Sequence, residues 1–291
     1  MLKIGFVDQY LDNWHCNYFP QFLREAIARR GLDAEIALAW AAWDRPPEGG
    51  TDTEKWCKDR NIARASSLDE VIEECDALMV VAADDASYHE ALCRKPLSSG
   101  KPVFVDKTFA GDLSAGRRMF ELAERHDTPV FSSSAQRYCQ SVIDWKRAHP
   151  EKPAFVSTVG PHSLDRYAVH QLEVISALMG TGIKRLKAFS SGSMVTQLIL
   201  DYGNGRWASF MQTPQPWAEF NFMVSEDGEN GARLVSDDRN FYANLMDAIL
   251  DFFLTGKPPV SKEETLEILS VIDAARIARK HPDTWFDLQG I

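Results

Sequence analysis

The chain has 291 residues, 45% of them hydrophobic and 25% charged, and a formal net charge of −10. This length predicts two globular domains with substantial cores, and the composition excludes a disordered or low-complexity chain. The acidic balance, with a pI near 5.2, excludes an extended phosphate-neutralising surface, so no nucleic-acid partner is expected.

Met1 to Val7 runs straight into a strand-like segment and lacks the apolar core and cleavage site of an export signal. The longest apolar runs, such as Ala77 to Ala83, suit buried strands and not a bilayer span, so no membrane partner is expected. Five scattered cysteines without a CxxC predict reduced, buried thiols and a cytoplasmic location.

Strands are predicted at Leu2 to Val7, Glu35 to Trp40, Ala77 to Ala82, Pro102 to Val105 and Pro129 to Ser132. Between the first two, Phe19, Phe22, Leu23, Ala26 and Ile27 share a helical face that Gly31 ends. Ser67 with Glu70 forms a capping-box pattern, and Met119, Leu122 and Ala123 mark a further helix. Alternating strands and helices of this kind build a doubly wound parallel sheet, a Rossmann-like α/β domain over residues 1–133. The remaining 134–291 reads as an α+β domain with an open, mostly antiparallel sheet. It has a helix from Leu164 to Met179, a hairpin around Gly203-Asn204-Gly205, a strand through Phe220, Phe222 and Val224, and two closing helices. Such a sheet has one face left to cover, which predicts a homo-oligomer.

A dinucleotide fold needs glycines where the first strand turns into the first helix, because the backbone approaches the pyrophosphate closely there. This chain instead reads Asp8-Gln9-Tyr10-Leu11-Asp12-Asn13-Trp14-His15, with Asp8 and Tyr10 where the first two glycines belong. Bulk and negative charge replace room, so a cofactor there is displaced or absent. A helix amino end expected near Tyr18 to Gln21 would still offer backbone amides to an anion.

The run Asp76-Ala77-Leu78-Met79-Val80-Val81-Ala82, then His89, then Gly100-Lys101-Pro102-Val103-Phe104-Val105-Asp106-Lys107 resembles the glucose-fructose oxidoreductase and inositol dehydrogenase (Gfo/Idh/MocA) family. Its hallmark Glu-Lys-Pro is Asp106-Lys107-Thr108 here. Arg137, His170 on a helix ending Ala177-Leu178-Met179-Gly180, and Pro258-Pro259-Val260-Ser261 extend the similarity over nearly the whole chain. The resemblance implies a nicotinamide cofactor, NAD or NADP, on the first domain, and hydride transfer to or from a sugar-like substrate on the second. It places Asp8, Gln9, Tyr10, His15, Asp44, Asp84, Asp106 and Lys107 on the cofactor side, and Arg137, Arg166 and Tyr167 on the substrate side. Asp44 and Arg45 argue in opposite directions between NAD and NADP.

Lys107, just past a parallel strand, would hold the reacting oxygen, against the alternative of a solvated lysine. Asp106 positions it or is a solvated neighbour. His170 lies off the apolar arc of Leu164, Ala168, Leu172, Ile175 and Met179, together with Arg166 and Glu173, and the family role for it is the base. Arg166 stands where the family usually has an aspartate; it keeps the histidine neutral, grips a substrate carboxylate or belongs to a surface face shared with Glu173. Tyr167 assists proton transfer or packs. His15 caps the first helix or lines the cleft, and His89 reads as structural. Histidines and acids are not clustered at metal-ligand spacing, so no metal is expected. The expected function is an oxidoreductase acting on a sugar, cyclitol or related hydroxy compound. The alternatives are a non-redox lyase or glycosidase and a non-catalytic sugar-binding protein.

Overall fold

The computed structural model describes residues 1–190, 195–215, 219–225, 232–235 and 240–288. The chain forms two compact units, Met1–Ser133 with Leu245–Lys262, and Ser134–Asn244 with the chain from Glu263 onward.

The first unit runs β1 (Leu2–Asp8), α1 (Trp14–Arg30), β2 (Ala34–Ala41), α2 (Thr53–Arg60), β3 (Ala63–Arg64), α3 (Leu68–Glu74), β4 (Ala77–Val80), α4 (His89–Cys93), β5 (Val103–Val105), α5 (Leu113–Arg125) and β6 (Val130–Ser132). The strands form one sheet in the order β3-β2-β1-β4-β5-β6, and every pairing in it is parallel. This is the doubly wound arrangement expected from the sequence, with its order reversing between β1 and β4. The central strands read as apolar runs because helices cover both faces: Phe6, Val7, Leu78, Met79, Val103 and Phe104 are fully buried. Gly5 sits under α3, where a Cβ would come 2.4 Å from Val71 Cγ1. Ser67 caps α3 by accepting from Glu70 N, and Glu70 reaches back to Ser66.

The second unit contains α6 (Gln140–Ala148), β7 (Phe155–Gly160), α7 (Leu164–Met179), β8 (Arg185–Ser190), β9 (Thr196–Asp201), β10 (Trp207–Gln212), β11 (Asn221–Ser225) and β12 (Ala232–Val235). After α8 (Phe241–Thr255), which returns to the first unit from Leu245, it is completed by α9 (Lys262–Ala278) and β13 (Trp285–Asp287). Its sheet runs β12-β11-β7-β10-β9-β8-β13, antiparallel except for the β7–β10 pair. The Gly203-Asn204-Gly205 signal does close a hairpin: both glycines have positive φ and Asp201 pairs with Trp207. Val156, Leu186, Leu198, Leu200, Ala208 and Phe210 form the inner face against α7 and α9. The outer face alternates with it and carries Ile199, Trp207 and Met211 at intermediate burial.

Among the described residues no helix is long and apolar enough to cross a membrane. All five cysteines are buried and unpaired in disulfides.

Candidate functional site

The candidate residues divide between the two units. In the first, β1 stays extended beside β2 past its last residue, since Ala42 N and Trp43 N donate to the carbonyls of Asp8 and Gln9. The turn toward α1 is therefore delayed, and Asp8 lies buried at the carboxyl edge of the sheet. Its carboxylate accepts from Tyr10 N at 3.2 Å, Asn13 Nδ2 at 2.9 Å, Cys16 Sγ at 3.0 Å and Ala82 N at 3.0 Å. Burial pushes its pKa up to about 6, against these hydrogen bonds, which favour the ionised form.

The helix amino end is not at Tyr18 to Gln21. α1 begins at Trp14, and Asn13 caps it by accepting from Cys16 N. Asn13 is a preferred N-cap type, which was the available signal. Pro20, a residue more usual in a first helical turn, lies inside the helix.

Neighbouring loops close on this segment. Asp12 Oδ2 accepts from Thr51 N at 2.7 Å. Tyr10 stacks on Trp43 at 6.3 Å between ring centroids, and Trp43 meets Tyr88 edge-on at 5.6 Å. The Tyr10 hydroxyl donates to Asp84 Oδ2 at 3.0 Å, and burial followed by the Asp84 charge raises its pKa. His15 is not the helix cap, a place taken by Asn13, and its Nδ1 lies 2.6 Å from Asp106 Oδ2. Asp106 is buried and not a solvated neighbour; burial alone would raise its pKa, but His15 and then Lys107 hold it below the ordinary carboxylate value.

Lys107 is partly buried just past β5 and donates from Nζ to Ala83 O at 3.2 Å. The Lys107–Thr108 peptide is cis. His89, wholly buried, ties this loop to the end of β4: Nδ1 lies 2.8 Å from Thr108 O and Nε2 2.9 Å from Val81 O. Asp44 is exposed beyond β2, with its Oδ1 3.8 Å from Arg64 Nη2 and its Oδ2 3.7 Å from Arg45 Nε.

In the second unit, His170 is half-buried on α7, with its Nδ1 2.6 Å from Ser134 Oγ. Its ring meets Tyr167 at 5.0 Å and Phe220 at 5.4 Å, and Tyr167 meets His162 at 4.2 Å. Gly160 makes this packing possible, since a Cβ there would lie 2.8 Å from Phe220 Cε1. Arg166 is exposed one turn before His170.

Glu173 does not share that exposed face. It is buried, takes Arg137 Nε at 2.5 Å through Oε2, and accepts from Ser134 N through Oε1. Arg137 also donates to Glu264 Oε1 at 3.0 Å and to Ser176 Oγ at 3.1 Å. Burial would lower the guanidinium pKa, but Glu173 and Glu264 more than offset it and hold the charge. Arg137 therefore clasps α7 and α9 together, with four of its five donors committed inside the fold. Ser134, beside His170, carries no local pattern in the sequence, and Phe220 reads there only as a strand residue and not as part of a site.

Residues 28–134 match the Gfo/Idh/MocA family model, described as an oxidoreductase family with an NAD-binding Rossmann fold. The match starts within α1, beyond the rewritten loop. No protein of curated function matches the chain. Among solved structures, a probable dehydrogenase from Thermotoga maritima is similar over 99% of each chain, with TM-score 0.81 at 15% identity. An oxidoreductase from Agrobacterium radiobacter in complex with NAD+, L-tartaric acid and magnesium covers 99% of this chain and 98% of its own, with TM-score 0.75 at 15% identity. A putative myo-inositol dehydrogenase from Sinorhizobium meliloti covers 99% and 100%, with TM-score 0.77 at 13% identity. At these identities the likeness is one of fold.

The dinucleotide that this family binds does not fit the first unit as its side chains stand. The amides of Tyr10 and Ala82 already serve the Asp8 carboxylate. A phosphate brought to about 4 Å from that carboxylate would meet a repulsion of about 4 kcal/mol at an effective dielectric constant near 20. Just past the ends of β1 and β2, Tyr10 stacks on Trp43.

Proposed function

We propose that this chain, which carries the Gfo/Idh/MocA signature over residues 28–134, is an oxidoreductase acting at a hydroxyl-bearing carbon of a sugar, cyclitol or related compound. NAD or NADP is the cofactor its family assigns. Lys107 would hydrogen-bond the reacting oxygen and stabilise its alkoxide character. His170, oriented by Ser134 through Nδ1, would take or return the hydroxyl proton. The observation that carries this reading is the Lys107 ammonium just past β5, on the edge where parallel sheets keep their ligands. Arg166 favours an acidic substrate, and the Agrobacterium radiobacter neighbour was crystallised with L-tartaric acid. Tyr167 and Phe220 would give a sugar-like ring an apolar wall. The partners are then a small polar molecule and a second copy of the chain, seated on the outer face of the second sheet; the reduced thiols favour the cytoplasm.

Initial rates on inositols, aldoses and tartrate test the assignment. Lys107→Ala and His170→Ala should each lower kcat by roughly 10²- to 10⁴-fold with the fold intact, and Arg166→Ala should reduce the preference for charged over neutral substrates. Undiminished kcat in both single variants would sink it. The occupied groove favours a second reading, a non-redox lyase or glycosidase, or a sugar-binding protein. That reading predicts no rise in unfolding temperature with NAD+, NADH, NADP+ or NADPH, whereas a ligand at a hundredfold its Kd adds about 2.7 kcal/mol.

A further inference from the structure

Four loops follow β1, β2, β4 and β5 at the carboxyl edge of the first sheet, and side chains of this chain join all four. Asp8 joins the first to the third by taking the amides of Tyr10 and Ala82 on one carboxylate, with Asn13 and Cys16 completing its shell. Asp12 joins the first to the second through Thr51 N, and Tyr10 does so again by stacking on Trp43. The second and third loops meet through Trp43 and Tyr88, and the Tyr10 hydroxyl closes the ring on Asp84. His15 reaches the fourth loop at Asp106.

An anion at a strand-to-helix turn is normally a guest, held by backbone amides from both sides of the point where the strand order reverses. Here amides from those two sides converge on a side chain of the protein itself. We propose that Asp8 is a built-in substitute for the anionic centre of a dinucleotide, and that Asp8 with the Tyr10–Trp43–Tyr88 bridge keeps this groove shut to an extended dinucleotide until they give way. An extended dinucleotide must then compete with the chain's own carboxylate for the same amides and displace a ring stack. Binding to the parent protein is accordingly weak and exchangeable, and no dinucleotide survives purification. The carboxylates of Asp8, Asp12 and Asp84 act in the same direction, while Asp106 beside them is faced by His15 and Lys107. The inference is independent of the roles given to Lys107 and His170, because its test reads binding and not turnover.

The test is calorimetric titration of NADH and NADPH into the full-length parent, Asp8→Gly and Tyr10→Ala. Asp8→Gly removes the internal anion and restores the smallest residue at that turn. Tyr10→Ala leaves the Asp8 shell in place and opens only the bridge, so it carries the test if Asp8→Gly fails to fold; heat unfolding checks both. The expected result is binding at least tenfold tighter in Asp8→Gly, and several-fold tighter in Tyr10→Ala, for one of the two nucleotides. Equal or weaker binding in folded variants would overturn the inference while leaving the oxidoreductase reading standing. Binding to none of the three proteins would also overturn it, since an opened groove has to admit its guest, and would remove the dinucleotide from the proposed function too.

Discussion

The Asp8 carboxylate should leave a signature in the pH dependence of stability. An ordinary aspartate titrates near 3.8, and burial pushes Asp8 up to about 6 in the fold. The folded chain therefore keeps this proton over a range in which the unfolded chain has released it. Stability from this group is full well below about pH 4, falls as pH rises toward 6, and is flat beyond. The difference of about 2 pK units, at 1.36 kcal/mol each, makes the fall about 3 kcal/mol. The groups facing Asp8 do not complicate this window. Asn13 and the amides of Tyr10 and Ala82 do not titrate, and the Cys16 thiol is held well above its usual value by burial and then by Asp8 itself. Asp8→Asn keeps the volume and cannot ionise, so it isolates the effect. Urea unfolding followed by tryptophan fluorescence at pH 4, 5, 6 and 7 gives the parent's stability relative to the variant. That difference should drop by about 2 kcal/mol across the series, the remainder of the fall lying below pH 4. A difference that is constant with pH, or that grows toward neutrality, would refute the claim that the carboxylate is desolvated.

Arg137→Ala should cost about 3–5 kcal/mol at pH 7, because Glu173 is left buried without its counter-ion. The same denaturation assay reads this, and the double change Arg137→Leu with Glu173→Leu should recover most of the loss. Gly5→Ala should lower the melting temperature through an overpacking cost of about 1–3 kcal/mol against Val71. Adding Val71→Ala should restore part of it, and calorimetry on the three variants checks both steps.

The architecture was legible because burial on both faces writes itself into the chain as apolar runs. Strands β1, β4, β5 and β6 and the whole span of α7 follow from that signal, whereas β2 is mostly half-buried. The two-residue β3 does not, since its pair of residues is exposed and carries no pattern. The unusual loop was also legible, as an absence of glycines and the presence of Asp8. Its resolution was not, because one amide that donates to Asp8 belongs to Ala82, 74 residues away. Glu173 failed for a related reason. Helical periodicity counts polar residues as outward-facing, and nothing local reveals that a carboxylate will be buried against Arg137, 36 residues earlier. The pairing of His15 with Asp106 lies beyond local pattern in the same way. The family resemblance supplied Lys107 and His170, while Ser134, the partner of the imidazole, had no motif to mark it.

The return of Leu245–Lys262 to the first unit bears on how this protein could be dissected. Phe252 sits edge-on against Phe131 at 4.8 Å, and Arg29 and Arg30 reach Asp247 and Asp251 on the same helix. A fragment stopping at residue 133 would bare the aromatic flank of β6 and strand two arginines at the end of α1. Anyone wishing to graft, shuffle or express the nucleotide-type half alone would have to carry the distant helical segment along, joined by a new linker. The front half is thus written in two separate passages of the gene, and neither passage encodes a complete module.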